Sequence, residues 1–157
     1  MALAYIVGTA TQGSADAFKE SEIQTALSGQ TQRAFRVREI LFELPNIGNA
    51  AGVNVEVSLT RRTMAAMPNI TDRNVIAKVT RQQNLTTSGA YIHDRVVRLT
   101  FSEDDELLIV EDPIYFQIDT ASTTAANTGY ARVGYELVNV SANDRLQLAL
   151  QSLNEAS

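Results

Sequence analysis

Read for alternation of apolar and polar positions, the chain shows a β pattern along most of its length. Val53, Val55, Val57 and Leu59 alternate with Asn54, Glu56 and Ser58, the two-residue period of a half-buried strand. The stretch from Arg33 to Leu44 is equally β-rich but changes phase. Phe35 and Val37 share one side, whereas Ile40, Phe42 and Leu44 share the other, so a β-bulge near Arg38 and Glu39 is predicted to restore one buried face. Pro45 and the Gly48, Asn49, Gly52 cluster end that strand in a turn. Further strands are predicted over Val96–Phe101, Leu107–Val110, Ile114–Ile118 and Tyr130–Val140, and Phe18–Leu27 is read as a strand for want of a helical stripe.

The breaks carry information too. Ser102–Glu106 reads as a hairpin connection, Asp112-Pro113 separates the next pair, and Thr120–Gly129 is a small polar loop. Within the long 62–90 connection, Thr71 as a cap and the spacing of Val75, Ile76 and Val79 predict a short helix over Thr71–Val79. A second helix is predicted at the carboxy terminus. Ser141 is its cap, Asp144 its third residue, and Leu146, Ala149, Leu150 and Leu153 form a stripe that should lie against the sheet or a neighbour.

About eight short strands, one long crossover and a terminal helix predict an all-β, antiparallel sandwich. A single jelly roll is the preferred topology and an immunoglobulin-like sandwich the second. Residues 1–15 form an uncharged arm, 16–140 the sandwich, and 141–157 the terminal helix and tail. Phe35, Phe42, Phe101, Phe116 and Tyr135 sit at inward-reading positions and are assigned to the core.

Composition narrows the chemistry. With 157 residues, no cysteine and one histidine, His93, the chain has no disulfide framework and no thiol nucleophile, and it cannot by itself build a site on two or three histidines. Neither a Gly-rich phosphate loop nor a nucleophile elbow is present, and His93 beside Asp94 reads as a loop or strand-edge residue. No enzyme, cofactor or small-molecule substrate is expected. The short apolar run Ala2–Val7, stopped by Gly8, is not a secretory signal, and no stretch is long enough for a membrane helix.

Charge is segregated. Residues 33–98 hold ten bases against five acids, residues 99–157 ten acids against two bases, and the bases are eleven Arg to two Lys. An arginine-rich, bipolar surface suits contacts between copies of one chain. Glu103, Asp104, Asp105 and Glu106 are candidate calcium ligands through their carboxylates, although they lack the order of an EF-hand loop. Arg33, Arg36 and Arg38 are candidates to face a nucleic acid through its phosphates.

The succession AFRVREILFELP, VNVEVSLTRR, DELLIVEDPIYFQIDTAS and YARVGYELVNVSANDRLQLALQS resembles the single jelly-roll coat proteins of tailless icosahedral viruses of bacteria and archaea, over roughly residues 15–153. The resemblance is one of pattern, and this chain departs from many members in lacking a basic arm. It implies an upright barrel packed beside its copies in capsomers of an icosahedral shell, made in the host cytoplasm and residing in the virion. The implied partners are copies of itself, with a second coat protein and weak genome or inner-membrane contact beside them. Leu3, Tyr5, Ile6 and Val7 of the arm, with Arg61 and Arg62, are the candidate assembly residues. A carbohydrate-binding or adhesion sandwich module of a phage tail or cell surface is the alternative.

Overall fold

The computed structural model describes residues 3–29, 32–45, 52–83, 95–102 and 104–154. Along them run β1 Ala4–Thr11, β2 Lys19–Ile23, β3 Arg33–Glu43, β4 Val53–Thr60, β5 Val75–Gln83, β6 Val96–Thr100, β7 Leu108–Ile109, β8 Ile114–Ala121, β9 Thr128–Asn139 and the helix α1 Ala142–Asn154. Sheet A has the order β1-β9-β3-β6, with β7 also on β3; sheet B has the order β2-β8-β4-β5. The antiparallel pairs nest: β4 with β5, β3 with β6, β2 with β8 and β1 with β9. A long hairpin rolled so that its ladders alternate between two facing sheets is a jelly roll.

The inward sides of the sheets supply the core. Phe42, Ile40, Val133, Leu59, Phe116, Ile114 and Ile118 are fully buried between the sheets, with the Phe42 and Phe116 rings stacked 6.2 Å apart. Phe35 and Tyr135 stack at 3.7 Å at one flank of this core, and Phe101 packs against it, as their strand phases predict. The phase change in β3 is a bulge, since its register against β9 shifts between Val37 and Glu39 and leaves Arg38 as the extra residue.

Two expectations are corrected. Ser102–Glu106 does not connect a hairpin, because β6 and β7 both pair with β3, along Glu39–Glu43 and Phe35–Arg36 respectively. They are two collinear pieces of one edge, and the chain leaves that edge opposite the bulge, where Phe101 N donates to Arg38 O and Val37 N to Leu107 O, both at 2.9 Å. Thr71–Val79 is not a helix. From Val75 onward it is β5, with Ala77 and Val79 buried and Lys78 outward, a period that the β-branched Val75, Ile76 and Val79 favour once β4 offers them a ladder. The uncharged arm, expected to reach a neighbouring subunit, contributes β1 to sheet A of its own chain over Ala4–Thr11. Its inward positions Ile6, Gly8 and Ala10 alternate correctly, and Gly8 is required because the Ile23 side chain occupies the space a Cβ would take.

The 61–74 connection folds over the outside of sheet B. Ser58, Thr60 and Gln117 point away from the core, yet they are buried beneath it. Ser58 Oγ donates to Gln117 Oε1 at 2.6 Å, and Gln117 Nε2 donates to Thr60 Oγ1 at 2.6 Å and to Glu20 Oε2 at 2.9 Å. Glu20 also receives Met64 N at 2.7 Å and the Thr63 hydroxyl, and Lys78 Nζ donates to Pro68 O at 2.8 Å. These bonds satisfy the named donors and offset much of the cost of burying them, although Asn74 Oδ1 in the same connection is buried with no partner.

α1 begins as its sequence predicts, with Asp144 N donating to Ser141 Oγ at 3.1 Å. It is tied to the barrel by Arg145, whose guanidinium donates to Leu27 O, Val110 O and Arg33 O. Leu146 and Leu150 are 57% and 45% exposed, so these members of the predicted stripe do not lie on the sheet.

Candidate assembly surfaces

The outer face of sheet A is built by the residues that alternate with the core. β3 contributes Arg36, Glu39, Leu41 and Glu43, β9 contributes Tyr130, Arg132 and Glu136, β1 contributes Tyr5, Val7 and Thr9, and β6 contributes Val96 and Arg98. Register sets opposite charges side by side. Glu136 receives Arg38 at 3.1 Å and lies 4.0 Å from Arg36, which also reaches Glu106 at 3.4 Å. Glu39 lies 3.4 Å from Arg132 and 3.7 Å from Arg98, and Glu43 lies 3.7 Å from Arg95. The half-exposed members contribute little singly, but together they neutralise the face and fix its side chains.

Of the three arginines expected to face a nucleic acid, two find partners within the chain. Arg36 and Arg38 are spent on Glu106 and Glu136 of the same chain, whereas Arg33 is exposed at the start of β3 with its carbonyl holding Arg145. The acidic partners lie some 70 to 98 residues away along the chain, which is why the local sequence does not show them.

The four arm residues divide between two faces. Tyr5 and Val7 stand on the outer face, 47% and 61% exposed, while Ile6 packs on the core and Leu3 is half-buried. Arg132 lies over the Tyr5 ring at 4.7 Å from its centroid, and the ring rests on Gly134, where a Cβ would stand 2.9 Å from it. Among the described residues β1 is the edge of sheet A, with a ladder partner, β9, on one side only.

Arg61 and Arg62 lie at one end of the barrel, in a cleft of about 340 Å³ with Thr63, Glu111, Asp112, Pro113 and Tyr115. Arg61 is committed within the chain: it donates to Glu111 Oε2 at 2.9 Å and to Leu108 O at 3.0 Å, joining the end of β4 to the β7–β8 loop. Within the chain Arg61 is an internal brace. Asp112 is held below the usual carboxylate range. Its partial desolvation pushes the other way and is outweighed by the backbone N–H groups of Thr25 and Ser28, which donate to its two oxygens. Desolvation, with Glu22 and Glu20 nearby, raises the Tyr115 phenol.

The calcium expectation is not supported by geometry. Asp104 and Asp105 are exposed, Asp105 takes Ser102 Oγ at 3.2 Å, and Glu106 is paired with Arg36. Among the described residues no three carboxylate or imidazole groups converge to hold a metal. Glu103 and His93 lie outside the described residues. Acidic residues with structural work stand elsewhere, unmarked by any motif. Asp16 accepts the Thr123 hydroxyl at 2.6 Å and its N–H at 3.0 Å, which holds it below its ordinary pKa and pins the β8–β9 loop.

No protein-family model matches the chain, and no curated protein matches it. Solved structures do. A chain of desmodium yellow mottle tymovirus is similar over 88% of this chain and 87% of its own, at 7% identity and a TM-score of 0.35. At that identity and score the likeness carries no weight for function, and the jelly roll rests on the strand order and nested pairing of this chain.

Proposed function

We propose that the chain is a structural virion protein, a coat subunit that assembles with copies of itself into capsomers of an icosahedral shell, of the kind found in tailless viruses of bacteria or archaea. It acts in the virion after synthesis in the host cytoplasm, and it is not an enzyme. One observation carries the proposal: a jelly roll whose charged outer face is neutralised within the chain, while its β1 edge bears no charge at all. Such a subunit is stiff and self-contained on its faces and leaves backbone hydrogen-bonding groups for a neighbour on one edge. A second coat protein, and genome or inner membrane on one face, belong to the same proposal, with Arg33 the arginine left to meet a phosphate.

Light scattering and negative-stain imaging of the purified protein over a range of salt and concentration test it. Rings, capsomers or shells are expected. A single species of 17.1 kDa under every condition would overturn the proposal.

The adhesion alternative rests on Tyr5 and Tyr130, 47% and 43% exposed on the same face of sheet A. Arg132 already occupies a face of the Tyr5 ring, which leaves a poor platform for a sugar. Binding on a glycan array, lost on Tyr130→Ala, would select that alternative.

A further inference from the structure

The two sheets of the sandwich have four edges, and three of them are guarded. β2 carries Lys19, Glu20 and Glu22, β5 carries Lys78 and Arg81, and β6 carries Arg98 and is broken by the 101–107 excursion before β7 resumes. Charges and interruptions of this kind keep an edge from pairing with a foreign strand. β1 has neither: it runs eight residues, AYIVGTAT, with no charge, no proline and no shift in its register against β9. Among the described residues it is thus the one edge left open to a neighbouring strand.

The hydrogen-bond phase of β1 shows which atoms are on offer. Gln12 N donates to Asn127 O at 2.9 Å, which continues the β1–β9 register and makes Gln12 a hydrogen-bonded partner of β9. In an antiparallel ladder this role alternates, so Ala10, Gly8, Ile6 and Ala4 also spend their backbone groups on β9. The N–H and C=O groups of Leu3, Tyr5, Val7, Thr9 and Thr11 therefore point to the free edge, while the side chains of Tyr5, Val7 and Thr9 stand on the outer face.

We propose that β1 pairs with β1 of a second copy, antiparallel about a two-fold axis at Val7, so that sheet A continues across two subunits. This rests on the coat-subunit proposal above and supplies one of its contacts. Only odd residues have free backbone groups, and the register that joins the longest run of them sets Val7 against Val7, Tyr5 against Thr9 and Leu3 against Thr11 of the second copy. The second copy is the fitting occupant because the pairing brings no charge against another: Leu3–Ala15 holds none. The nearest charge on the face is Arg132 of β9, and the two copies of it stand three strand spacings apart, about 14 Å, beyond the screening length of about 8 Å at physiological salt. Aromatic and β-branched side chains then meet across the new ladder, the pairs that stabilise sheets.

The chain has no cysteine, so a single introduced thiol reports this contact without background. Val7→Cys in the full chain should be captured as a covalent dimer by mild oxidation or a short thiol cross-linker, since the paired Cα atoms would lie about 5.5 Å apart. Thr11→Cys should not, because its two copies would be about 27 Å apart along the strands. In parallel, Val7→Pro removes an edge N–H without touching the β1–β9 ladder, and it should leave the far-ultraviolet spectrum intact while lowering particle size at least tenfold in light scattering. If that variant fails to fold, Val7→Lys supplies the same readout by guarding the edge with charge. Wild-type particles that persist in size in the folded variant, or equal capture at Val7 and Thr11, would overturn the edge pairing and leave the coat proposal standing. A wild-type protein that is monomeric throughout would instead overturn both.

Discussion

Asp119 faces Glu56 directly across the β4–β8 pairing, with Asp16 of the β1–β2 loop also near it. Desolvation first, then these two negative charges, push its pKa up, against the N–H of Thr120 that donates to it at 2.9 Å. A folded-state pKa above the unfolded value means that ionising Asp119 costs stability: its contribution is full in acid and is lost as pH rises through the folded value. Asp119→Asn keeps the acceptor for Thr120 N and removes the charge. Its melting temperature should exceed wild type by a few degrees near pH 7, and the difference should shrink toward zero as pH falls through the ordinary carboxylate range and Asp119 becomes protonated in the folded and unfolded chain alike. Asp16 and Asp112 have the opposite sign. Their lowered pKa values contribute stability above the usual carboxylate range that is lost as pH falls through it. In the core, Phe116→Ala removes a fully buried ring stacked on Phe42 and should cost about 3–5 kcal/mol in urea unfolding.

Among the elements, the 61–74 connection gathers several of its ties on one side chain at its start, with Lys78 holding Pro68 O further along. Glu20 receives Thr63, Met64 and Gln117, so Glu20→Ala strips three donors of their acceptor and should cost about 1–3 kcal/mol, with faster proteolytic nicking between residues 61 and 74. None of this was visible in the sequence, because Glu20 lies more than 40 residues from Thr63 and nothing in its own neighbourhood marks it. The β3 bulge was legible, since a phase change in apolar alternation is a local signal. β5 was not: over so short a span Val75, Ile76 and Val79 satisfy both the helical and the strand period, and only β4 beside them decides. The arginines of β3 read as free bases for the same reason that Glu20 was missed, their partners being supplied by strands brought alongside in the fold. Leu146 and Leu150 were placed on the right element, but the side of α1 that meets the barrel is set by Arg145 and its three carbonyls, which no apolar stripe foretells.

For the molecule as a whole, neutralisation of sheet A within the chain bears on how assembly answers to salt. If the faces carried unpaired arginines, raising ionic strength would release bound polyanions and weaken every contact. With Arg36, Arg38, Arg98 and Arg132 already beside Glu136 and Glu39, particle size between 50 mM and 500 mM salt should change less than twofold in light scattering. Partners that bind through charge would give a steep dependence instead.

The β1–β9 ladder has a consequence in time as well as in space. Residues 4–11 pair with residues 128–135, so β1 is synthesised well before β9 and waits for it before its side of sheet A can close. Pairings of such long sequence separation fold slowly, in milliseconds to seconds, and throughout that interval an uncharged strand with two open edges is present. Subunit concentration during synthesis therefore governs whether β1 first meets its own β9 or a strand of another chain, and yield of native protein should fall at high expression rates before any particle forms.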